Sequence, residues 1–237
     1  MTKEACMSFE KKYCQIMDLL SIPIKASILS TLAQFWNSNL RCFELLAFDL
    51  VPTIEEYKIM LKLPTNKKAR RKVVELIGLP MGQTDFESRE TIQGWNRNFL
   101  EDYLETLAEK KNWEFFNTTL ALLLYGLIIF PFTIGMIDHT TMDVFFAYET
   151  RGENPILAIL ANTFLSMEIC HQKKREMLRC CDYLLFVWLV THLYASNHMG
   201  YFLNPLRSFH HILLKKQEAM EWNKDLSKLE VEHFQWV

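Results

Sequence analysis

Glycine and proline are scarce, with seven of each in 237 residues. That excludes a collagenous or low-complexity chain and argues against a turn-rich β protein. A dominant charge is lacking too: 26 basic residues against 28 acidic leave a net charge of −2. No global field therefore draws the chain to nucleic acid or to an anionic membrane. Long hydrophobic runs are also missing. Residues 120–131 (LALLLYGLIIFP) and 184–190 (LLFVWLV) are the strongest, and both fall short of the ~20 residues a bilayer core requires. They read as buried core helices, and no membrane span is expected. Cysteine occurs six times, but Cys180 and Cys181 are adjacent inside an apolar run. The first 20 residues show neither a signal-peptide core nor an Arg-rich transit pattern. Six reduced thiols in a cytosolic or nuclear compartment are expected.

What is present is apolar. Half the residues are hydrophobic, including 17 Phe, and a chain of this length can bury about 70% of its unfolded surface. One helical domain over residues 1–237, or two tightly fused halves, fits that composition. The predicted fold class is all-α, with at most a small β element near residues 43–51.

Phe9 to Leu20 carries Phe9, Tyr13, Ile16, Met17 and Leu20 at helical spacing. A second helix follows Pro23, with Ile28, Leu29, Leu32 and Phe35 as its stripe. Phe43 to Val51 is the strand candidate. Pro52 ends that extended segment, and Thr53 with Glu56 stands at capping-box spacing before Ile54, Tyr57, Met60 and Leu61. This short helix is expected to dock Tyr57 and Leu61 on the buried helix containing Tyr125. Lys67 to Ile77 reads as a helix closed by Gly78, and Met81 to Arg89 as a polar loop. A covering helix is predicted within Thr91 to Lys111. Three helices, Phe115–Phe130, Ile156–Ile169 and Cys181–Tyr194, are apolar almost all round, and they are expected to pack together in the interior. Asn154-Pro155 supplies a cap for the second of them, and Asn204-Pro205 opens a later amphipathic helix.

Chemical motifs are few. No dinucleotide-binding glycine pattern, Walker A motif, nucleophile elbow or zincin motif occurs. Cys170-His171, Cys180-Cys181, His192 and His198 come nearest to a zinc set, but their spacings fit no standard site. His192 on an apolar helix reads as a hydrogen-bonded core histidine. No catalytic, metal or cofactor residue is assigned. The one basic cluster, Lys67, Lys68, Arg70, Arg71 and Lys72, reads first as a solvated helix start. It is also the only candidate nucleic-acid or nuclear-import patch.

Several stretches jointly resemble a known family. Phe35-Trp36, Arg41-Cys42-Phe43, Leu50 to Tyr57 (LVPTIEEY) and Leu61 to Pro64 look like the opening signature of the plant mobile domain group. The nearest branch is the one known only as a plant domain of unknown function. Gly94-Trp95, Phe99 to Tyr103, Leu122 to Pro131, Asn154-Pro155 and Trp188 to Leu193 extend the likeness over nearly the whole chain. The resemblance implies a mostly helical, transposon-related protein. It further implies nuclear location, with cytoplasmic location as the alternative, and a link to transposon silencing or genome maintenance. A non-catalytic interaction module with protein partners is the expected function. The alternatives are a nucleic-acid-contacting domain of a mobile element and an enzyme. The group's "aminotransferase-like" label finds no phosphate cup for pyridoxal chemistry here, and no cofactor is expected. The chain stops at Trp236-Val237 directly after a helical stretch, as a C-terminally truncated, transposon-derived copy would.

Overall fold

Apolar residues recurring every three or four positions make helices of most of the chain, and the exceptions position the site. The structure is a computed structural model that describes residues 2–13, 15–62, 73–79, 86–89, 92–173, 177–194 and 219–230. Its packing divides into two units of interleaved chain, residues 1–16 with 63–159 and residues 17–62 with 160–237.

In the first unit, helix α1 (Lys3–Tyr13) buries Ala5, Phe9 and Tyr13 along one face. Polar hooks fix it. Asn117 Nδ2 donates to Ala5 O at 2.9 Å, Tyr148 Oη to Lys12 O at 2.8 Å, and Lys12 pairs with Glu149 at 2.7 Å. The helix expected over Phe9–Leu20 breaks after Tyr13, and α2 (Ile16–Leu19) is a single turn. Gln15 is buried beside Tyr13 and Ile16, which one straight helix cannot place on one face. Helix α5 (Val73–Leu76) is followed by Gly78, whose φ of 68° is the left-handed value expected of a cap.

The loop expected at Met81–Arg89 and the helix start expected at Thr91 are corrected by a sheet. Strands β4 (Phe86–Arg89), β5 (Ile92–Asn96) and β6 (Met136–Asp138) pair antiparallel, with Trp95 opposite both Phe86 and Ile137. Gly94 makes this possible: a Cβ there would lie 2.2 Å from Ile137 O. The backbones approach too closely for any side chain. The mainly helical class therefore holds, but β structure reaches beyond the one segment near residues 43–51.

Asn96 then caps α6 (Arg97–Glu109), whose Leu100, Leu104 and Leu107 face inward as a covering helix requires. It packs on α7 (Trp113–Leu124), which is buried on most sides and closes in a π turn over Tyr125–Ile129 ahead of Pro131. Helix α8 (His139–Arg151), assigned no element from sequence, starts where the Asp138 side chain accepts from Thr141 N. Tyr125 meets Phe145 of α8 edge-on at 5.1 Å.

In the second unit, α3 (Ala26–Leu32) and a 3-10 turn (Ala33–Phe35) lead into a three-stranded meander. Strands β1 (Trp36–Asn37), β2 (Cys42–Glu44) and β3 (Asp49–Leu50) place Trp36, Phe43 and Leu50 across from one another, all buried. The predicted strand is thus the second half of a small sheet. Helix α4 (Ile54–Leu61) follows. Helix α9 (Ile156–Lys173) opens with Asn154 Oδ1 accepting from Ile156 N, and from residue 160 onward it belongs to this unit. Residues 184–190 of α10 (Asp182–Tyr194) are all buried, each large side chain contributing roughly 1.5–3 kcal/mol before entropy. Helix α11 (Ala219–Leu226) covers α3 with Trp222 and Leu226.

Three packing expectations are corrected. The three apolar helices are divided between the units: α7 belongs to the first, and most of α9 and all of α10 to the second. Helix α9 is not buried all round, since Leu157 and Leu165 sit on an outward stripe, 64% and 55% exposed. Helix α4 packs on α10 within the second unit, and Tyr125 belongs to the first. The helix expected after Asn204-Pro205 lies outside the described residues. Among those residues, no helix is long and apolar enough to cross a membrane.

Candidate functional site: a buried histidine–glutamate pair

Pro52 is buried and Thr53 is extended (φ −103°, ψ 164°), so the chain turns into α4 at the residue whose hydroxyl can cap it. The expected capping box is present. Glu56 N donates to Thr53 Oγ1 at 3.2 Å, and Thr53 N donates back to Glu56 Oε2 at 2.7 Å. The Thr53 hydroxyl also donates to Oε2, at 2.7 Å. These bonds fix the Glu56 carboxylate and leave its second oxygen pointing elsewhere.

That oxygen meets α10. Glu56 Oε1 lies 2.8 Å from His192 Nε2, with the two side chains 15% and 4% exposed. The other ring nitrogen, Nδ1, lies 2.7 Å from Trp188 O, one turn back on α10. Two stretches that carry the family resemblance, residues 50–57 and 188–193, therefore meet at one polar contact. Burial alone pulls the Glu56 carboxyl upward, but hydrogen bonds from His192 and Thr53 outweigh it and hold the group below its ordinary value.

Apolar and sulfur groups surround the pair. Tyr57 is wholly buried between α4 and α10. Burial drives its phenol well above the usual range, with Cys180 and Cys181 adding to the effect and the Thr163 hydroxyl opposing it. Burial raises the Cys180 thiol strongly, helped by Asp182, and pushes Cys181 up to about 12. Asp182 rises to about 6 by burial, partly offset by the Cys180 thiol 3.6 Å away. Such thiols stay protonated at neutral pH and are poor nucleophiles. Cys181 also stands eleven positions before His192, about 16 Å along a helix axis, so the two form no dyad.

A second polar corner fixes the Phe35-Trp36 stretch. The Trp36 ring packs on Phe43 at 5.3 Å and Phe164 at 5.7 Å, and its Nε1 donates to Glu168 Oε2 at 3.2 Å. Hydrogen bonds from Ser38 and Trp36 hold the Glu168 carboxyl below its ordinary value.

The structure confirms His192 as a buried, hydrogen-bonded histidine. Its partner Glu56 was not foreseen, because the capping-box pattern accounts for one carboxylate oxygen and says nothing about the other. Cys170 and His171 lie near the end of α9, half-buried and exposed, while Cys180 and Cys181 are buried ahead of α10. Among the described residues, no group of three or more His, Cys, Asp or Glu could hold a metal ion. The described cysteines, Cys6, Cys42, Cys170, Cys180 and Cys181, form no disulfide. Lys67, Lys68, Arg70, Arg71 and Lys72 lie outside the described residues.

Fold and site define a class first: a mainly helical domain of two compact units, with a buried histidine–carboxylate pair joining two helices of the second. The chain belongs to the family described as Domain of unknown function (DUF7745), whose model matches residues 1–237. No curated protein and no solved structure matches the chain.

Proposed function

We propose that the chain is a non-catalytic interaction module acting in the nucleus, of transposon-related origin, with a role in transposon silencing or genome maintenance. The observation that supports a non-catalytic reading is the commitment of reactive side chains to the fold. Both nitrogens of His192 face partners in a buried contact, and the thiols of Cys180 and Cys181 are held protonated by burial. A general base needs a nitrogen turned toward substrate, and a nucleophilic cysteine needs a lowered pKa. Nuclear location and transposon-related origin rest on the likeness of residues 35–64 and 188–193 to the plant mobile domain group.

Proximity labelling in plant cells, with the full chain as bait, tests the reading. Neighbours drawn mainly from chromatin are expected; neighbours confined to cytosolic enzymes would overturn the nuclear assignment. A visible cofactor band on reconstitution with pyridoxal phosphate would overturn the non-catalytic assignment.

A second reading, nucleic-acid contact, is favoured by one sequence observation, the five basic residues within 67–72. A gel shift that weakens steeply with salt would support it, because phosphate contacts release counterions.

A further inference from the structure

The two contacts of the His192 ring both require a donor. Nδ1 lies 2.7 Å from Trp188 O, a backbone carbonyl that can only accept. Nε2 lies 2.8 Å from Glu56 Oε1, the oxygen of a carboxylate. A neutral imidazole carries one N–H, so it can satisfy one contact and must aim a lone pair at the other. The conflict disappears if a second proton sits on the ring or on Glu56. The capping box decides between them. Glu56 Oε2 already accepts from the Thr53 amide and the Thr53 hydroxyl, both at 2.7 Å, and bonds of that kind favour the charged carboxylate.

We infer that His192 is a doubly protonated imidazolium, paired with the Glu56 carboxylate as a buried latch that holds α4 to α10. The ring is 4% exposed, and breaking a buried charge pair from one side is strongly unfavourable. Helix α4 has only eight residues and takes its stability from packing, so the latch is one of the contacts that keep it in place. Among the described residues, titratable groups near the α4–α10 contact include Tyr57 on α4 and Cys180, Cys181 and Asp182 at the start of α10. Asp182 stands about 15 Å away along the helix. The inference does not depend on the interaction reading above.

Side-chain 15N NMR of the full chain at pH 7 tests it. The seven histidines are assigned with His192→Asn, or with Glu56→Gln should the first variant not fold. Both His192 nitrogens are expected to carry protons, and one bare nitrogen in the wild-type ring would overturn the assignment. In Glu56→Gln the amide can turn either its oxygen or its NH2 toward Nε2, so one ring nitrogen should lose its proton at pH 7. If both stay protonated there, Glu56 is not what holds the second proton. Hydrogen exchange over residues 54–61 reads the latch itself. Protection should be lower in Glu56→Gln than in wild type at the same pH, and equal protection would overturn the latch.

Discussion

Replacing Tyr57 with alanine separates a scaffold role for α4 from a surface role. The Tyr57 side chain is fully buried between α4 and α10. An aromatic side chain of this kind buries about 150 Å² or more, and at about 25 cal/mol per Å² its removal costs close to 4 kcal/mol. Measured aromatic-to-alanine changes in cores fall at about 3–5 kcal/mol once the cavity is included. For a chain of this length that corresponds to a melting-temperature drop of roughly 8–16 °C. Tyr57→Phe keeps the ring and loses only the hydroxyl facing Thr163, at a cost of about 1 kcal/mol. Thr53→Ala uncaps the helix and removes the hydroxyl donor from Glu56 while leaving the backbone amide in place, for about 1–2 kcal/mol. Thermal melts followed by circular dichroism at 222 nm should therefore order the variants Tyr57→Ala, then Thr53→Ala and Tyr57→Phe, then wild type. A Tyr57→Ala melt within about 2 °C of wild type would refute the packing argument and make α4 a surface element.

Four further outcomes follow from the same structure. Asp182 has a folded value near 6 against an ordinary 3.8, so its neutral form is favoured by folding. That stability is present below about pH 4 and lost as pH rises through 6. Asp182→Asn should accordingly gain roughly 1 kcal/mol at pH 7.5 and nothing at pH 4, read from urea melts at both values. Glu56 has the opposite sign. Its depressed value makes its contribution full above the ordinary glutamate range and lost as pH falls through the folded value, so Glu56→Gln should flatten the acid limb of the stability profile. Alkylation with iodoacetamide, read by mass spectrometry, should label exposed Cys6 promptly and the buried Cys180 and Cys181 only on unfolding. Gly94→Ala should cost about 3 kcal/mol, since a methyl group has to displace the Ile137 carbonyl; a normal melt would show that β5 and β6 can separate without loss.

How much of this was legible depends on range. The capping box at Thr53, the cap before α9 and the cap glycine after α5 are encoded by residues within four positions of one another, and all three are present as read. So is the interior character of α10, where an unbroken apolar run leaves no polar face to turn outward. The sheet through Gly94-Trp95 was hidden because its cause is the Ile137 carbonyl, far along the chain. Periodicity placed these residues in the helix that starts at Arg97. Helix α8 had readable ends, Asp138 before it and Gly152 after it, but its weakly patterned interior drew no assignment. The Glu56–His192 contact is the extreme case. Each residue had a sufficient local explanation, one as a cap and the other as a core histidine, and no local pattern joins them.

The alternation of chain between the two units has a consequence for biogenesis. The first unit takes residues 1–16 and 63–159, the second residues 17–62 and 160–237. Neither is one uninterrupted stretch. During synthesis the first unit has all its residues once position 159 has emerged, whereas the segment 17–62 must wait for α10 before α4 has anything to pack on. Until then Tyr57, Leu61 and the buried face of the small sheet are apolar surface without a partner, the kind of transient exposure that recruits chaperones. Ribosome pausing or premature termination between about residue 160 and residue 194 would release a chain whose first unit is complete and whose second is half made. Such a product is an aggregation hazard rather than a smaller working domain.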